Sequence, residues 1–222
     1  MRTIKVNLYK FKELGKEVKE KVLEKHRDWN VDGDWWYECV YESWKEKLNK
    51  IGFEDAEIAF SGFWCQGDGA CFNANCNIRK LLIKSKYPKA LVNLLMESDL
   101  SASIVTTDHH YSHENTRNFQ LSYYYTDSFL NVLKTPTADL PLIIGEALDE
   151  DAKKLYELRV KEQIAPIDLD QVEKDLEEKR LNLCRDIYKD LEKEYNSQTT
   201  DEAVIESLEA NEKEFTKEGD DA

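Results

Sequence analysis

The chain has 222 residues, 41% of them hydrophobic, which is enough for one globular core with an appendage. Its formal net charge of −14 disfavours direct binding to nucleic acid or to an anionic membrane surface. No apolar run approaches the roughly 20 residues of a membrane-spanning helix, so we expect no membrane partner. The five cysteines are an odd number and indicate reduced thiols, so we expect a cytoplasmic protein.

The N-terminal third predicts one strand followed by two helices. Apolar residues alternate over residues 2–9, which is typical of a strand, and they recur at helical spacing over residues 12–27. A second amphipathic face runs from Trp36 to Ile51. Gly52 stands where a helix commonly ends.

Two pairs of alternating segments then predict two β-hairpins. The first pair covers residues 56–61 and 70–78 and flanks a glycine-rich turn. The second pair covers residues 101–107 and 116–126 and flanks a loop rich in histidine. A short helix after Pro88 connects the two hairpins.

The remainder of the chain reads as helical and acidic. Residues 142–195 predict two long amphipathic helices, which could close over the sheet or project as a helical hairpin. Residues 190–222 hold twelve acidic residues and three lysines, a net charge of −9. Within this part, residues 196–222 predict either one more helix or a disordered tail.

These elements favour an α+β fold. We expect an antiparallel sheet built from the two hairpins plus the N-terminal strand, with helices packed on one face and a helical acidic C-terminal extension. The predicted organisation is a core domain over residues 1–135, an amphipathic helical region over residues 142–195, and an acidic tail over residues 196–222.

The glycine-rich turn is the first candidate for chemistry. Its four central residues are Gln66, Gly67, Asp68 and Gly69. Glycines free backbone N–H groups to approach a ligand, and Asp68 could bind a cation or a sugar hydroxyl. The alternative is a tight turn that Asp68 closes through its own side chain. Neither a dinucleotide-binding nor a phosphate-loop pattern is present in the sequence.

The second candidate is the histidine-rich loop of the second hairpin. Imidazole and carboxylate groups are metal ligands, so this loop could hold one divalent metal. The residues of such a site would be Asp108, His109, His110 and His113. The alternative is an exposed polar turn in which one histidine bonds to the backbone. We expect no other cofactor.

Residues 60–72, together with the tryptophans of the second helix and Tyr111 to Glu114, resemble a family of small bacteriophage and prophage proteins. The shared signature is Phe-Ser-Gly-Phe, then Gln-Gly-Asp-Gly-Ala and Phe. The resemblance covers residues 9 to about 125, and some members are labelled antitoxin-like. It implies a setting in a host cell, in which interference with a host defence or regulatory protein would be expected.

A binding function follows from the charge and from the lack of a catalytic signature. We expect a phage-type acidic protein that inhibits or sequesters a host protein, such as a nucleic-acid-handling defence complex, in an anti-CRISPR-like manner. The predicted partner surface consists of Glu202, Glu206, Glu209 and Glu212. The alternatives are a metal-dependent hydrolase that uses the histidine loop and an antitoxin-like regulator.

Overall fold

The computed structural model describes residues 6–97, 100–107, 111–143 and 148–222. The helices found there are α1 (Lys16–Lys25), α2 (Glu38–Ile51), α3 (Ile78–Lys84), α4 (Lys89–Glu97), α5 (Asp127–Lys134), α6 (Leu140–Ile143), α7 (Glu150–Glu162), α8 (Leu169–Gln198) and α9 (Asp201–Ala210). The strands are β1 (Tyr9–Lys10), β2 (Phe53–Ser61), β3 (Gly69–Cys76), β4 (Ser101–Thr106), β5 (Arg117–Ser122) and β6 (Glu214–Phe215). Short 3₁₀ segments cover Phe11–Glu13, Trp29–Val31, Asp34–Tyr37 and Glu114–Thr116.

The α+β class is confirmed, and the predicted antiparallel hairpins are both present. β2 pairs with β3, and β4 pairs with β5, each as a two-stranded sheet. Of the predicted N-terminal strand, residues 2–5 lie outside the described part, and the described β1 pairs with β6 in a third sheet. Among the described residues the strands thus form three two-stranded sheets instead of the single sheet that we expected, and the partner of β1 comes from the far end of the chain.

Residue contacts group the chain into two compact units rather than into the three predicted segments. Unit 1 consists of Met1–Glu42 with Lys189–Ala222, and unit 2 consists of Ser43–Tyr188. The division falls within α2 and α8. The acidic C-terminal residues thus belong to the same folded unit as the N-terminal residues.

Unit 1 has its own apolar core. α9 and β6 supply part of this core, and residues 11–23 supply the rest. Its buried members are Phe11, Leu14, Val22, Leu23, Val204, Leu208 and Phe215. Of the two alternatives for residues 196–222, the helix is the one found.

Unit 2 is organised around the two hairpins. The ring of Phe53 on β2 meets Phe72 on β3 edge to face, with ring centroids 5.2 Å apart, and it meets Phe119 on β5 at 6.4 Å. The Arg117 side chain also links the hairpins, since its Nε donates to Asn73 Oδ1 at 2.8 Å. α3, with Asn77 as its N-cap, was not predicted from the sequence.

Within unit 2, α7 and α8 close over other elements instead of projecting. α7 packs against α5 and α4. The buried Arg159 of α7 donates to the carbonyl oxygens of Leu133, Thr135 and Ile164 at 2.9–3.3 Å. α8 begins after Asp168, whose carboxylate accepts a hydrogen bond from the Asp170 amide at 3.2 Å, in the manner of a helix cap.

Candidate binding surfaces

The four glutamates predicted as a partner surface lie on α9 and just after it. Glu202, Glu206 and Glu209 are spaced by four and three residues, so their side chains share one face of the helix. All three are exposed, and so is Glu212. No ion pair among the described residues uses any of the four carboxylates. The structure thus assembles these four residues, called here the acidic face, and their binding role stays a prediction.

Apolar packing and a polar cap hold α9 in place. Val204 and Leu208 are buried in the core of unit 1. The Thr200 hydroxyl accepts a hydrogen bond from the Ala203 amide at 3.2 Å and caps the helix N-terminus. Arg27 donates to Asp201 and to the Thr199 carbonyl, which ties the start of α9 to the end of α1. The acidic face is therefore carried by a folded helix.

A cleft of about 170 Å³ adjoins the acidic face. Phe11 and Leu208 contribute its apolar lining, while Glu209 and Glu212 contribute carboxylates. Three lysines also line it, namely Lys10, Lys12 and Lys213. Because both signs of charge are present, the cleft does not select a cation. The exposed carboxylates along the helix are the more selective feature.

Asp68 closes the predicted glycine-rich turn through its own carboxylate. Oδ2 accepts hydrogen bonds from the amides of Trp64 and Cys65, each at 2.6 Å, and the Asp68 amide donates to the Cys65 carbonyl at 3.1 Å. Gly67 has a φ of +100°, a backbone conformation that would be strained in a residue with a side chain. Of the two alternatives for this turn, the geometry matches the tight turn that Asp68 closes through its own side chain, so Asp68 acts as a turn residue. Gln66 is exposed beside it.

The same turn carries a set of aromatic side chains. Phe63 lies between Phe60 and Tyr188, with ring centroids 5.5 and 5.4 Å away. The adjacent Trp64 is 76% exposed. The packing of Phe63 therefore anchors the turn while Trp64 faces solvent.

The end of the second hairpin loop lies against this turn. The Tyr111 ring would be 3.8 Å from a Cβ placed on Gly67, and Tyr111 is 61% exposed. The His113 ring approaches Gly69 so closely that a Cβ there would lie 2.7 Å from its Cδ2. The two loops that the sequence singled out thus meet at one surface of unit 2.

The predicted metal site can be assessed only at His113, because Asp108, His109 and His110 lie outside the described residues. His113 Nδ1 accepts a hydrogen bond from the Asn115 amide at 3.2 Å. A neutral ring that accepts at Nδ1 carries its proton on Nε2, and metal binding at Nε2 would require the other tautomer. No group of three or more potential ligands suited to a metal occurs in the described part of the chain. The metal site stays a prediction, and the geometry of His113 favours the polar-turn alternative.

The sequence pattern missed a buried ion pair on α8. Arg180 is fully buried, and its Nε and Nη2 donate to the two carboxylate oxygens of Glu177 at 2.7 Å each. Nη2 also donates to the carbonyls of Glu114 and Arg117 at 2.9 and 2.7 Å. The position of Arg180 in the sequence could have indicated its burial. Arg180 stands four residues after Leu176 and four before Cys184, on the buried face of the helix.

The acidic residues of this stretch of α8 cover the free edge of β5. Glu177 accepts from the Phe119 amide at 2.9 Å, and Glu173 accepts from the Leu121 amide at 3.0 Å. The two glutamates therefore supply acceptors to edge-strand amides that the partner strand leaves unpaired.

Three of the cysteines are at least partly buried. Cys71 is buried on β3, where the consecutive residues 69–72 are buried on both faces of the strand. Burial raises the pKa of Cys184 to about 12 and that of Cys76 to about 11. These two thiols stay protonated at neutral pH, which makes them poor nucleophiles.

A protein-family model described as a domain of unknown function (DUF8835) matches residues 36–201. The matched range contains both hairpins, the turn around Asp68 and the Arg180 contacts, and it ends at the first residue of α9. Neither a curated protein nor a solved structure matches the chain. In the described part, no helix combines the length and apolar character needed to cross a membrane.

Proposed function

We propose that this chain, which belongs to the DUF8835 family, binds an electropositive protein surface in the cytoplasm and blocks it. Inhibition or sequestration of a host defence complex that handles nucleic acid is the version that agrees with the phage-like signature of residues 60–72. The acidic face is the proposed contact surface. Its carboxylates compete with phosphates for the lysines and arginines of the partner.

The observation that carries the proposal is the order of the acidic face. Three carboxylates share one helical face, and Val204 and Leu208 hold that helix in the core of unit 1. A mobile acidic tail would lose conformational entropy on binding, whereas a folded helix presents its charges already arranged. The proposed contact is therefore between two preformed surfaces.

The distribution of charge also supports a local contact. Residues 1–42 are electrically neutral in sum, and residues 189–222 carry a net charge of −8. Charges separated by more than about 8 Å are largely screened at physiological ionic strength. A partner must therefore come close to the C-terminal segment to gain from its charge.

The test compares two variants of equal net charge. The first reverses three charges on the acidic face: Glu202→Lys, Glu206→Lys and Glu209→Lys. The matched control reverses three exposed charges on α1: Glu17→Lys, Glu20→Lys and Glu24→Lys. Tagged wild-type protein captures partners from cells, and binding of each variant to the purified partner is then titrated.

We expect the acidic-face variant to bind about 10- to 100-fold more weakly, since three exposed ion pairs contribute about 0.5–1 kcal/mol each. The α1 variant should bind as the wild type does. Equal losses in both variants would show that net charge alone acts. Unchanged binding in both would refute the acidic face as the contact. Adding nucleic acid should compete with the chain for its partner.

A further inference from the structure

The aromatic turn, residues 62–69, presents an exposed tryptophan on a rigid support. Trp64 is 76% exposed, although a side chain of this size gains substantially from burial. Tryptophan is among the residues that contribute most to protein interfaces. An exposed tryptophan in a flexible loop could fold back on the protein, so the rigidity of this turn is the informative feature.

Two hydrogen bonds and two ring contacts support the turn. The Asp68 carboxylate accepts hydrogen bonds from the amides of Trp64 and Cys65. Phe63, the residue before Trp64, is stacked on Phe60 and tilted against Tyr188. Because the backbone on both sides of Trp64 is fixed, a guest that contacts the indole has little loop entropy to overcome.

Tyr111 enlarges the exposed aromatic surface. Its ring lies against Gly67 and is 61% exposed. Ser61 Oγ donates to the Ser112 carbonyl at 3.5 Å, which links the residue after Tyr111 to the strand that leads into the turn. Trp64 and Tyr111 therefore belong to one supported surface.

Negative charge beside the indole selects the guest. The Asp68 carboxylate lies in the turn itself, with its Oδ2 2.6 Å from the Trp64 amide nitrogen, and residues 43–188 as a whole carry a net charge of −6. Carboxylate and phosphate groups are repelled by this charge. A guanidinium group is attracted by it and also binds the faces of tryptophan and tyrosine through cation–π contacts.

We propose that Trp64 and Tyr111 bind an arginine side chain of the protein partner. This inference rests on the proposed function, because it assumes the same electropositive partner. It adds a second contact, on unit 2, and it names the side chain that this contact recognises.

The test uses the full-length chain and a short peptide of alternating arginine and glycine as the probe. The indole N–H signal of Trp64 is assigned in a two-dimensional NMR spectrum from its loss in Trp64→Phe. We expect this signal to shift during titration with the arginine peptide. A peptide with citrulline in place of arginine, which keeps the shape without the charge, should leave it unmoved. Equal shifts with both peptides, or no shift with either, would overturn the proposal.

Variants separate cation–π binding from simple apolar contact. Trp64→Leu keeps an apolar side chain without a π face, and we expect about 5- to 30-fold weaker binding of the purified partner. Trp64→Phe should lose less, since phenylalanine keeps a face. Trp35→Leu is the matched control, because Trp35 is 58% exposed and lies in unit 1. Equal binding by the Trp64→Leu and Trp64→Phe variants would overturn the guanidinium assignment.

The two proposals fail in different ways. If the acidic-face variant loses partner binding and Trp64→Leu does not, the aromatic contact is wrong and the acidic face stands. If Trp64→Leu loses partner binding and the acidic-face variant does not, the acidic face is wrong and the aromatic contact stands. Circular dichroism and thermal melts on every variant confirm that the comparison is made between folded proteins.

Discussion

The buried pair of Arg180 and Glu177 allows a quantitative prediction. Substituting Glu177→Ala removes three hydrogen bonds, one from the Phe119 amide at 2.9 Å and two from Arg180 at 2.7 Å each. Arg180 would then keep its charge in a fully buried position with only the Glu114 and Arg117 carbonyls and the Cys184 sulfur as acceptors. The change therefore leaves a buried cation without its counter-ion.

The expected loss follows from the environment of each group. Removing one partner of a buried ion pair costs about 3–5 kcal/mol of unfolding free energy. The Glu177 side chain is 24% exposed, so water can replace part of what it supplied, and the lower end of that range applies. We expect a loss of about 3 kcal/mol. With a urea dependence of about 2 kcal/mol per molar, the midpoint falls by about 1.5 M.

Urea unfolding at neutral pH measures the effect, and Glu178→Ala is the matched control. Glu178 is the next residue of the same helix and is exposed, so its loss should change the free energy by less than about 0.5 kcal/mol. Hydrogen exchange adds a local readout: the Phe119 amide should exchange faster in Glu177→Ala alone. Equal midpoints for the two variants would refute the role assigned to this pair.

Three further predictions concern other contacts. Asp149 caps α7, and hydrogen bonds from Ser128 and then Thr126 lower the pKa of its carboxyl group to about 2. The stabilisation that Asp149 contributes is therefore present above pH 3.8 and lost as the pH falls towards 2. The Asp149→Ala variant should lose about 1 kcal/mol of unfolding free energy at pH 7, and its stability in urea titrations should depend less on acid pH. The pKa of Asp221 is lowered first by the hydrogen bond with Lys25, so the protection factors of the C-terminal amides, corrected for intrinsic exchange, should fall as the pH drops below 3.8. The Asp221→Ala variant should show low protection at every pH. Val204→Ala should destabilise unit 1 by about 1–3 kcal/mol in thermal unfolding without altering the charge of the acidic face, and an unchanged melting temperature would contradict its place in the core.

Local patterns predicted much of the secondary structure. The alternation on both sides of the glycine-rich turn predicted β2 and β3, and the spacing from Trp36 to Ile51 predicted α2. These predictions succeeded because side-chain periodicity depends on backbone geometry within one element.

Contacts between distant segments could not be predicted in this way. β1 pairs with β6, about 200 residues away, and nothing in either short segment indicates its partner. The role of Glu173 and Glu177 is likewise invisible in the sequence, because the β5 amides that donate to their carboxylates are brought near them only when α8 lies along that strand.

The sequence by itself therefore determined the α+β class, most of the helices and strands, and the concentration of negative charge near the C-terminus. The tertiary structure decided that this acidic segment is folded into unit 1, that Trp64 is held exposed, and that Arg180 is buried with Glu177. The physical reason is that periodicity reports which side of an element is apolar. Which groups satisfy its polar atoms, and which side chains stay exposed, depends on the elements that pack against it.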